Sequence, residues 1–140
     1  MSKPTVYLAG PWDDRQKMPH ICDVFEAGGF EVTHEWWWHE ADRGDGKVPD
    51  PKFGQECATN DFNGVKNANV LVLLNSSYSE GKAVELGLAL AWNKPICVIG
   101  RNVSNVFLNF PHITKVDTPE EALEWAQGKV GVVNGTVTKA

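Results

Sequence analysis

The chain has 140 residues, 42% of them hydrophobic and 22% charged, and a formal net charge of −5. That length suits a single domain that buries about two-thirds of its unfolded surface. The acidic balance argues against a nucleic-acid polymer as partner, because neutralising phosphates takes a Lys/Arg surplus. No apolar run approaches about 18 residues and no basic, apolar leader opens the chain, so a cytoplasmic protein with no membrane partner is expected. Cys22, Cys57 and Cys97 have no metal-like spacing, and an odd count makes a poor disulfide framework. Buried thiols are expected.

Thr5–Ala9 reads as a buried strand ended by Gly10-Pro11. A helix is predicted from about Asp14 to Ala27, stopping at Gly28-Gly29. Phe30–Thr33 follows as a short strand. The polar, Gly/Pro-punctuated stretch from His34 to Lys52 is long for a connection, which marks it as a lid or binding loop. Trp36, Trp37 and Trp38 open that loop and, with Trp12, are read as aromatic surface for a ligand to stack on. Phe53–Asn67 is helical in pattern. Val70–Leu74 is an uninterrupted apolar strand, Gly81–Trp92 a helix, and Pro95–Ile99 a strand ended by Gly100. A helical turn at Ser104–Asn109, a strand at His112–Val116 and a helix at Thr118–Gln127 complete the order. Thr118-Pro119-Glu120-Glu121 supplies the last helix's cap. The tail from Gly128 to Ala140 lacks a helical period and reads as a loose end or an arm. Apolar strands alternating with helices specify a doubly wound parallel sheet covered on both faces. Right-handed crossovers suggest the order 2-1-3-4-5, with ligand bound where the loops leave strands one and three. Trp12, Asp13, Asp14, Ser79 and Glu85 then surround one crevice.

Carboxylates carry most of the available chemistry. Glu85 lies in the early turns of a helix that follows a strand, where the positive end of the helix dipole favours its ionised form. An ionised carboxylate in such a cleft is a candidate nucleophile or base. Asp61, in Asn60-Asp61-Phe62-Asn63, is an unusually polar residue for the middle of its helix. Paired with Glu85, it would supply the acid of a two-carboxylate glycosidic mechanism. His34 and His39 are five apart, whereas a zinc-protease helix needs histidines four apart, so no metal site is expected. Gly44-Asp45-Gly46-Lys47 lacks the flanking elements and full spacing of a phosphate loop. No GxGxxG follows the first strand, so no dinucleotide or other cofactor is expected.

Three blocks, taken together, resemble the nucleoside 2-deoxyribosyltransferases. They are Tyr7-Leu8-Ala9-Gly10-Pro11-Trp12 with Asp14-Arg15-Gln16, then Asn60-Asp61-Phe62-Asn63-Gly64-Val65-Lys66, then Gly81-Lys82-Ala83-Val84-Glu85-Leu86-Gly87-Leu88-Ala89 with Lys94-Pro95. The resemblance runs from about Thr5 to Val116. It implies a flavodoxin-like domain of 1–140 that cleaves the N-glycosidic bond of 2′-deoxynucleosides and passes deoxyribose to a second nucleobase or to water. It assigns Glu85 as nucleophile, Asp61 as the acid on the base side and Tyr7 as the tyrosine that orients the glutamate. Gly10, Trp12, Asp13, Ser79 and Gly81 are implied to contact substrate. Asn105 resembles an asparagine that a neighbouring subunit offers to the sugar's 5′ end, which implies a homodimer or larger homo-oligomer.

Ser79 stands where transferases often carry an acidic residue, and resembles instead the sister 2′-deoxynucleoside 5′-monophosphate N-hydrolases. The first loop departs in the other direction, with Pro11, Trp12, Asp13 and Asp14 where those hydrolases carry a serine and an arginine for phosphate. Two carboxylates there are expected to repel a phosphate dianion and to favour nucleosides. Hydrolysis of the monophosphate is the alternative. A non-catalytic nucleotide-binding module is the third reading. The C-terminus lacks the aromatic ending that some transferases fold over the site.

Overall fold

The computed structural model describes residues 2–38, 51–102, 105–133 and 136–137. Five parallel strands form one sheet in the order β2-β1-β3-β4-β5: β1 (Thr5–Ala9), β2 (Glu31–Val32), β3 (Val70–Leu74), β4 (Ile96–Ile99) and β5 (Thr114–Val116). The expected flavodoxin-like order is therefore the observed one. The central strands are buried on both faces and so could be read from continuous apolar runs; Val6 to Ala9, Val70 to Leu73 and Ile96 to Ile99 are at most 4% exposed. Tyr7 pairs with Leu71 in the β1–β3 register, and Leu73 with Val98 in β3–β4.

Four α-helices cover the sheet: α1 (Met18–Ala27), α2 (Pro51–Asn67), α3 (Glu80–Ala91) and α4 (Pro119–Val130). α1 packs with α4 on one face and α2 with α3 on the other. Where the sequence suggested one helix from Asp14, residues Trp12–Lys17 form 3₁₀ turns broken at Asp14 (φ −110°, ψ 23°). Pro19 explains the delay. It cannot donate back to the Arg15 carbonyl, so it is tolerated only in a first turn, and α1 begins one residue earlier. α4 is capped by Thr118, as its sequence indicated, but runs past Gly128 to Val130. It stops at Gly131, whose φ of 74° is the left-handed conformation that ends helices. The tail then contributes a small antiparallel pair, β6 (Val132–Val133) with β7 (Thr136–Val137).

All three cysteines are free and buried, as expected. Burial pushes the Cys97 thiol up to about 12 and also raises Cys22, where the Glu26 carboxylate accepts from it. Two of the three tryptophans in the triplet are core residues, contrary to the aromatic-surface reading. Trp36 is 8% exposed and Trp37 3%, whereas Trp38 is 64% exposed. Trp36 donates its Nε1–H to the Leu8 carbonyl at 2.7 Å and packs edge-on against Trp37. Gly10 gives room to Met18, because a Cβ there would lie 2.8 Å from the Met18 sulfur, while the Trp36 ring at 3.5 Å would be in ordinary contact. His39 and the Gly44–Lys47 segment lie outside the described residues.

Lys94, part of the third sequence block, closes α2. Its ammonium donates to the Lys66 and Ala68 carbonyls, each at 2.7 Å, at the negative end of that helix. Lys94→Met is therefore expected to lower stability by about 1–2 kcal/mol, readable as an earlier urea midpoint. An unchanged midpoint would show that these contacts add nothing net.

Candidate active site

Tyr7 is where the site begins. Alternation along β1 turns it to the α2–α3 side of the sheet, where it is fully buried. A large ring under a crossing helix needs space, and Gly64 of α2 provides it. A Cβ at Gly64 would meet Tyr7 ring atoms at 2.9 Å and the His34 Cβ at 3.2 Å. With the ring held there, the Tyr7 hydroxyl donates to Glu85 Oε2. Glu85 is 8% exposed and shares a helical face with Lys82, Leu86 and Ala89. Its position is the second turn of α3. A buried carboxylate without a donor costs several kcal/mol, and the Tyr7 phenol supplies one.

Asp61 lies one turn before Gly64 on the inward face of α2, near the buried Cys57, Gly64 and Val65. Its Oδ1 is 3.4 Å from His34 Nε2, and the two side chains are 26% and 16% exposed. Asn60 and Asn63 point to solvent. Asp61 is thus turned toward His34, whose Cβ lies beside Gly64. His34 had attracted notice only as half of a rejected metal pair. Its place at the carboxyl end of β2, two residues past Val32, is the signal that locates it beside the crevice.

The other substrate-contact candidates fall into two groups. Around the start of α3, Ser79 is the N-cap, its Oγ accepting the Lys82 backbone N–H at 3.1 Å. Gly81 is exposed in the first turn, with only Ser79 Oγ, at 3.9 Å, near its missing Cβ. Asn105 caps the 3₁₀ turn Val106–Asn109 by accepting the Phe107 N–H at 2.9 Å. With Ser79 and Lys82 of the same chain it lines a cavity of about 60 Å³. At the end of β1, Gly10 packs on Met18 and Trp36. Trp12 is half-buried beneath Arg15, whose guanidinium carbon is 4.5 Å from its ring centre.

The two aspartates of the first loop differ. Asp13 is exposed. Asp14 crosses to the β3–α3 loop, accepting from the Ser76 hydroxyl and from Ser77 Oγ at 3.4 Å, with Lys17 Nζ at 3.5 Å. The Ser76 bond is the main cause holding its carboxyl below the usual range. Asp14 is therefore engaged on several sides, and the Lys17 ammonium offsets part of its charge. Lys82, which the sequence reading did not single out, is 7% exposed. Its Nζ donates to the Ser77 carbonyl at 2.6 Å and to Asn75 Oδ1 at 3.3 Å. Its three-residue spacing from Glu85, on the same face as Leu86 and Ala89, was the available clue.

Known structures share this architecture. A Clostridium botulinum CMP N-glycosidase is 17% identical, with 88% of this chain and 98% of that one aligned at a TM-score of 0.59. A 2-deoxyribosyltransferase from the psychrotolerant bacterium Bacillus psychrosaccharolyticus is also 17% identical, aligning 85% and 90% of the two chains at a TM-score of 0.64. No curated protein sequence gives a significant match. At these identities the structures establish a shared doubly wound α/β fold. The family follows from the sequence itself. The nucleoside 2-deoxyribosyltransferase profile matches residues 6–131, and the chain belongs to that family, a class of glycosyl-transferring and N-glycosidic enzymes.

The Gly64–Tyr7 contact makes a direct prediction. Gly64→Ala is expected to destabilise the protein by about 1–3 kcal/mol through overpacking. Gly128→Ala, where a Cβ would meet nothing within 4 Å, is expected to stabilise α4 by up to about 1 kcal/mol. Urea denaturation of both variants tests the pair, and equal shifts would remove the close-packing argument.

Proposed function

We propose that the protein cleaves the N-glycosidic bond of a 2′-deoxynucleoside and transfers the deoxyribosyl group to a second nucleobase, or to water. The observation that carries this reading is the buried Glu85 carboxylate held by the Tyr7 hydroxyl at the carboxyl edge of β1 and β3. In the proposed first step a Glu85 oxygen attacks C1′ and the bond from C1′ to the base nitrogen breaks. Asp61, in its acid form, gives its proton to the departing base. The product is a deoxyribosyl ester of Glu85. The incoming base or water then attacks C1′, returns its proton to Asp61 and frees Glu85, with net retention. Tyr7 keeps Glu85 oriented for in-line attack. His34, beside Asp61, is placed to influence its ionisation. Gly10, Trp12, Asp13, Ser79, Gly81 and Asn105 are the proposed substrate contacts. Family membership and the activities of the two structural relatives, deoxyribosyl transfer and CMP N-glycosidic cleavage, support the N-glycosidic class.

Glu85→Gln is expected to lower turnover by about 10³-fold or more, as removing a nucleophile commonly does. Asp61→Asn is expected to impair deoxynucleosides with poor leaving bases far more than one with an activated base. Chromatography of deoxyinosine incubated with and without adenine reads both variants. Full activity of Glu85→Gln would end the covalent mechanism, and an equal loss on both substrates would move Asp61 to a binding role.

We also propose that the working unit is a homodimer or larger, with Asn105 offered across the interface. Asn105 borders a cavity of about 470 Å³ lined with Leu86, Leu90, Phe107 and Phe110. Nearby Val84, Val106 and Phe107 are 62%, 73% and 55% exposed. Such a continuous apolar surface favours a partner, and a second copy is the partner that the family resemblance supplies. Light scattering should give an oligomer for the wild type and a smaller, less active species for Val106→Asp. An active monomer in the wild type would overturn the proposal.

Hydrolysis of a 5′-monophosphate is the second reading. Ser79 in place of an acidic residue, and the engagement of Asp14 by Ser76 and Lys17, are the observations that favour it.

A further inference from the structure

Two hydrogen bonds close a ring at the carboxyl edge of β1 and β3. Deep in the site, the Tyr7 hydroxyl donates to Glu85 Oε2. At the rim, the Ser76 hydroxyl donates to Asp14 Oδ2, and Ser77 Oγ lies 3.4 Å from the same oxygen. Two stretches of chain join these ties. One arm runs from Tyr7 through the loop leaving β1 to Asp14, and the other from Ser76 through the start of α3 to Glu85. Gly10, Trp12 and Asp13 lie on the first arm, and Ser79 and Gly81 on the second. All but one of the proposed substrate contacts therefore belong to the ring, Asn105 being the exception.

The second arm is fixed from several sides. Lys82 Nζ, from the first turn of α3, donates to the Ser77 carbonyl at 2.6 Å and to Asn75 Oδ1 at 3.3 Å. Asn75 is in turn tied to β4, its backbone N–H donating to the Ile99 carbonyl at 2.8 Å. The first arm meets this brace through Asp14. The 3₁₀ turns break there, and the side chain, 20% exposed, leaves its own loop for the next. A carboxylate that accepts from two hydroxyls favours its ionised form, and the Ser76 bond holds this one below the usual range. Its short side chain sets the spacing of the two loops.

We propose that Asp14 is a positioning residue: its clasp on Ser76 holds the loops leaving β1 and β3 at the spacing a nucleoside needs to reach Glu85. This inference rests on the N-glycosidic reading of that site. It gives Asp14 a part that the sequence did not suggest, where its carboxylate counted only as a repulsive charge. Asp14 acts through Ser76 rather than on a reacting atom. Opening the clasp leaves Glu85 with its Tyr7 donor while the two sets of substrate contacts separate. The effect therefore falls on substrate binding more than on the chemical step.

The test is a double-mutant cycle on deoxynucleoside cleavage with Asp14→Ala, Ser76→Ala and the pair. Each single variant is expected to lower kcat/KM by about tenfold to a hundredfold, mostly by raising KM. The double variant should lose no more than the larger single. A loss confined to kcat at unchanged KM, as a merely less folded variant gives, overturns the proposal, and so do additive losses. Asp14→Asn, which keeps an oxygen to accept from Ser76, should recover part of the loss. Lys17→Met, which removes only the ion pair, should stay within about twofold of wild type, and an equal loss there would trace the effect to charge and overturn the clasp. Ser76→Ala carries the comparison if Asp14→Ala does not fold. Amide hydrogen exchange supplies a readout independent of catalysis. Ser76→Ala should speed exchange in residues 10–14 as well as 75–79 and leave α4 as in the wild type. If the wild type cleaves no nucleoside yet shows this coupled opening, the N-glycosidic reading fails and the clasp stands. If it cleaves and neither KM nor exchange moves in the variants, that reading stands and Asp14 has no positioning role.

Discussion

Glu85 is a carboxylate at 8% exposure, and holding it there constrains much of the surrounding structure. A carboxylate out of water has to be met by donors, and the Tyr7 phenol on a central strand is one. For the phenol to reach, Tyr7 must lie on the α2–α3 side of β1, which the strand's register beside β3 fixes. For α2 to cross above the ring, residue 64 must lack a side chain. The same close crossing brings His34 against the helix and turns Asp61 inward. One hydrogen bond thus links a strand register, a glycine in a helix and the second carboxylate. A change at Gly64 acts on Glu85 without touching it.

The parts of this arrangement that could be read from the sequence were those governed by periodicity and by side-chain type. Val70–Leu74 and Val6 to Ala9 read as apolar runs because central parallel strands have no wet face, and right-handed crossovers between such strands suggested the order of the sheet. The second carboxylate stood out because Asp61 interrupts a helical face. Other features depended on tertiary choices that a linear pattern does not carry. Tryptophans next to a polar stretch look like ligand surface, yet Trp36 and Trp37 are covered, with the Trp36 N–H held by the Leu8 carbonyl and the two rings packed edge-on. The onset of α1 was misplaced because Pro19 blocks a bond that the apolar period does not register. Lys82 went unremarked since a lysine in an amphipathic helix is ordinarily a solvated one. Its position three residues before Glu85, in step with Leu86 and Ala89, was the contrary sign.

Charge at the carboxyl edge of the sheet also has to be counted by contact rather than by composition. Asp13 and Asp14 stand side by side in the chain, and with an overall charge of −5 the loop looks hostile to anions. In space they separate: Asp13 is exposed, while Asp14 spends its oxygens on Ser76, Ser77 and Lys17. At effective dielectric constants near 20, a cation a few ångströms away offsets most of a carboxylate's field at the distance of a ligand. Lys82 adds a buried positive charge at the start of α3, where its acceptors are neutral oxygens. The field at the start of α3 then sums that ammonium and the helix amides against the carboxylates of Glu80, Glu85 and the clasped Asp14. An acidic net charge therefore does not fix the sign of the field at one helix start, where an ammonium and several carboxylates are held within two turns of one another.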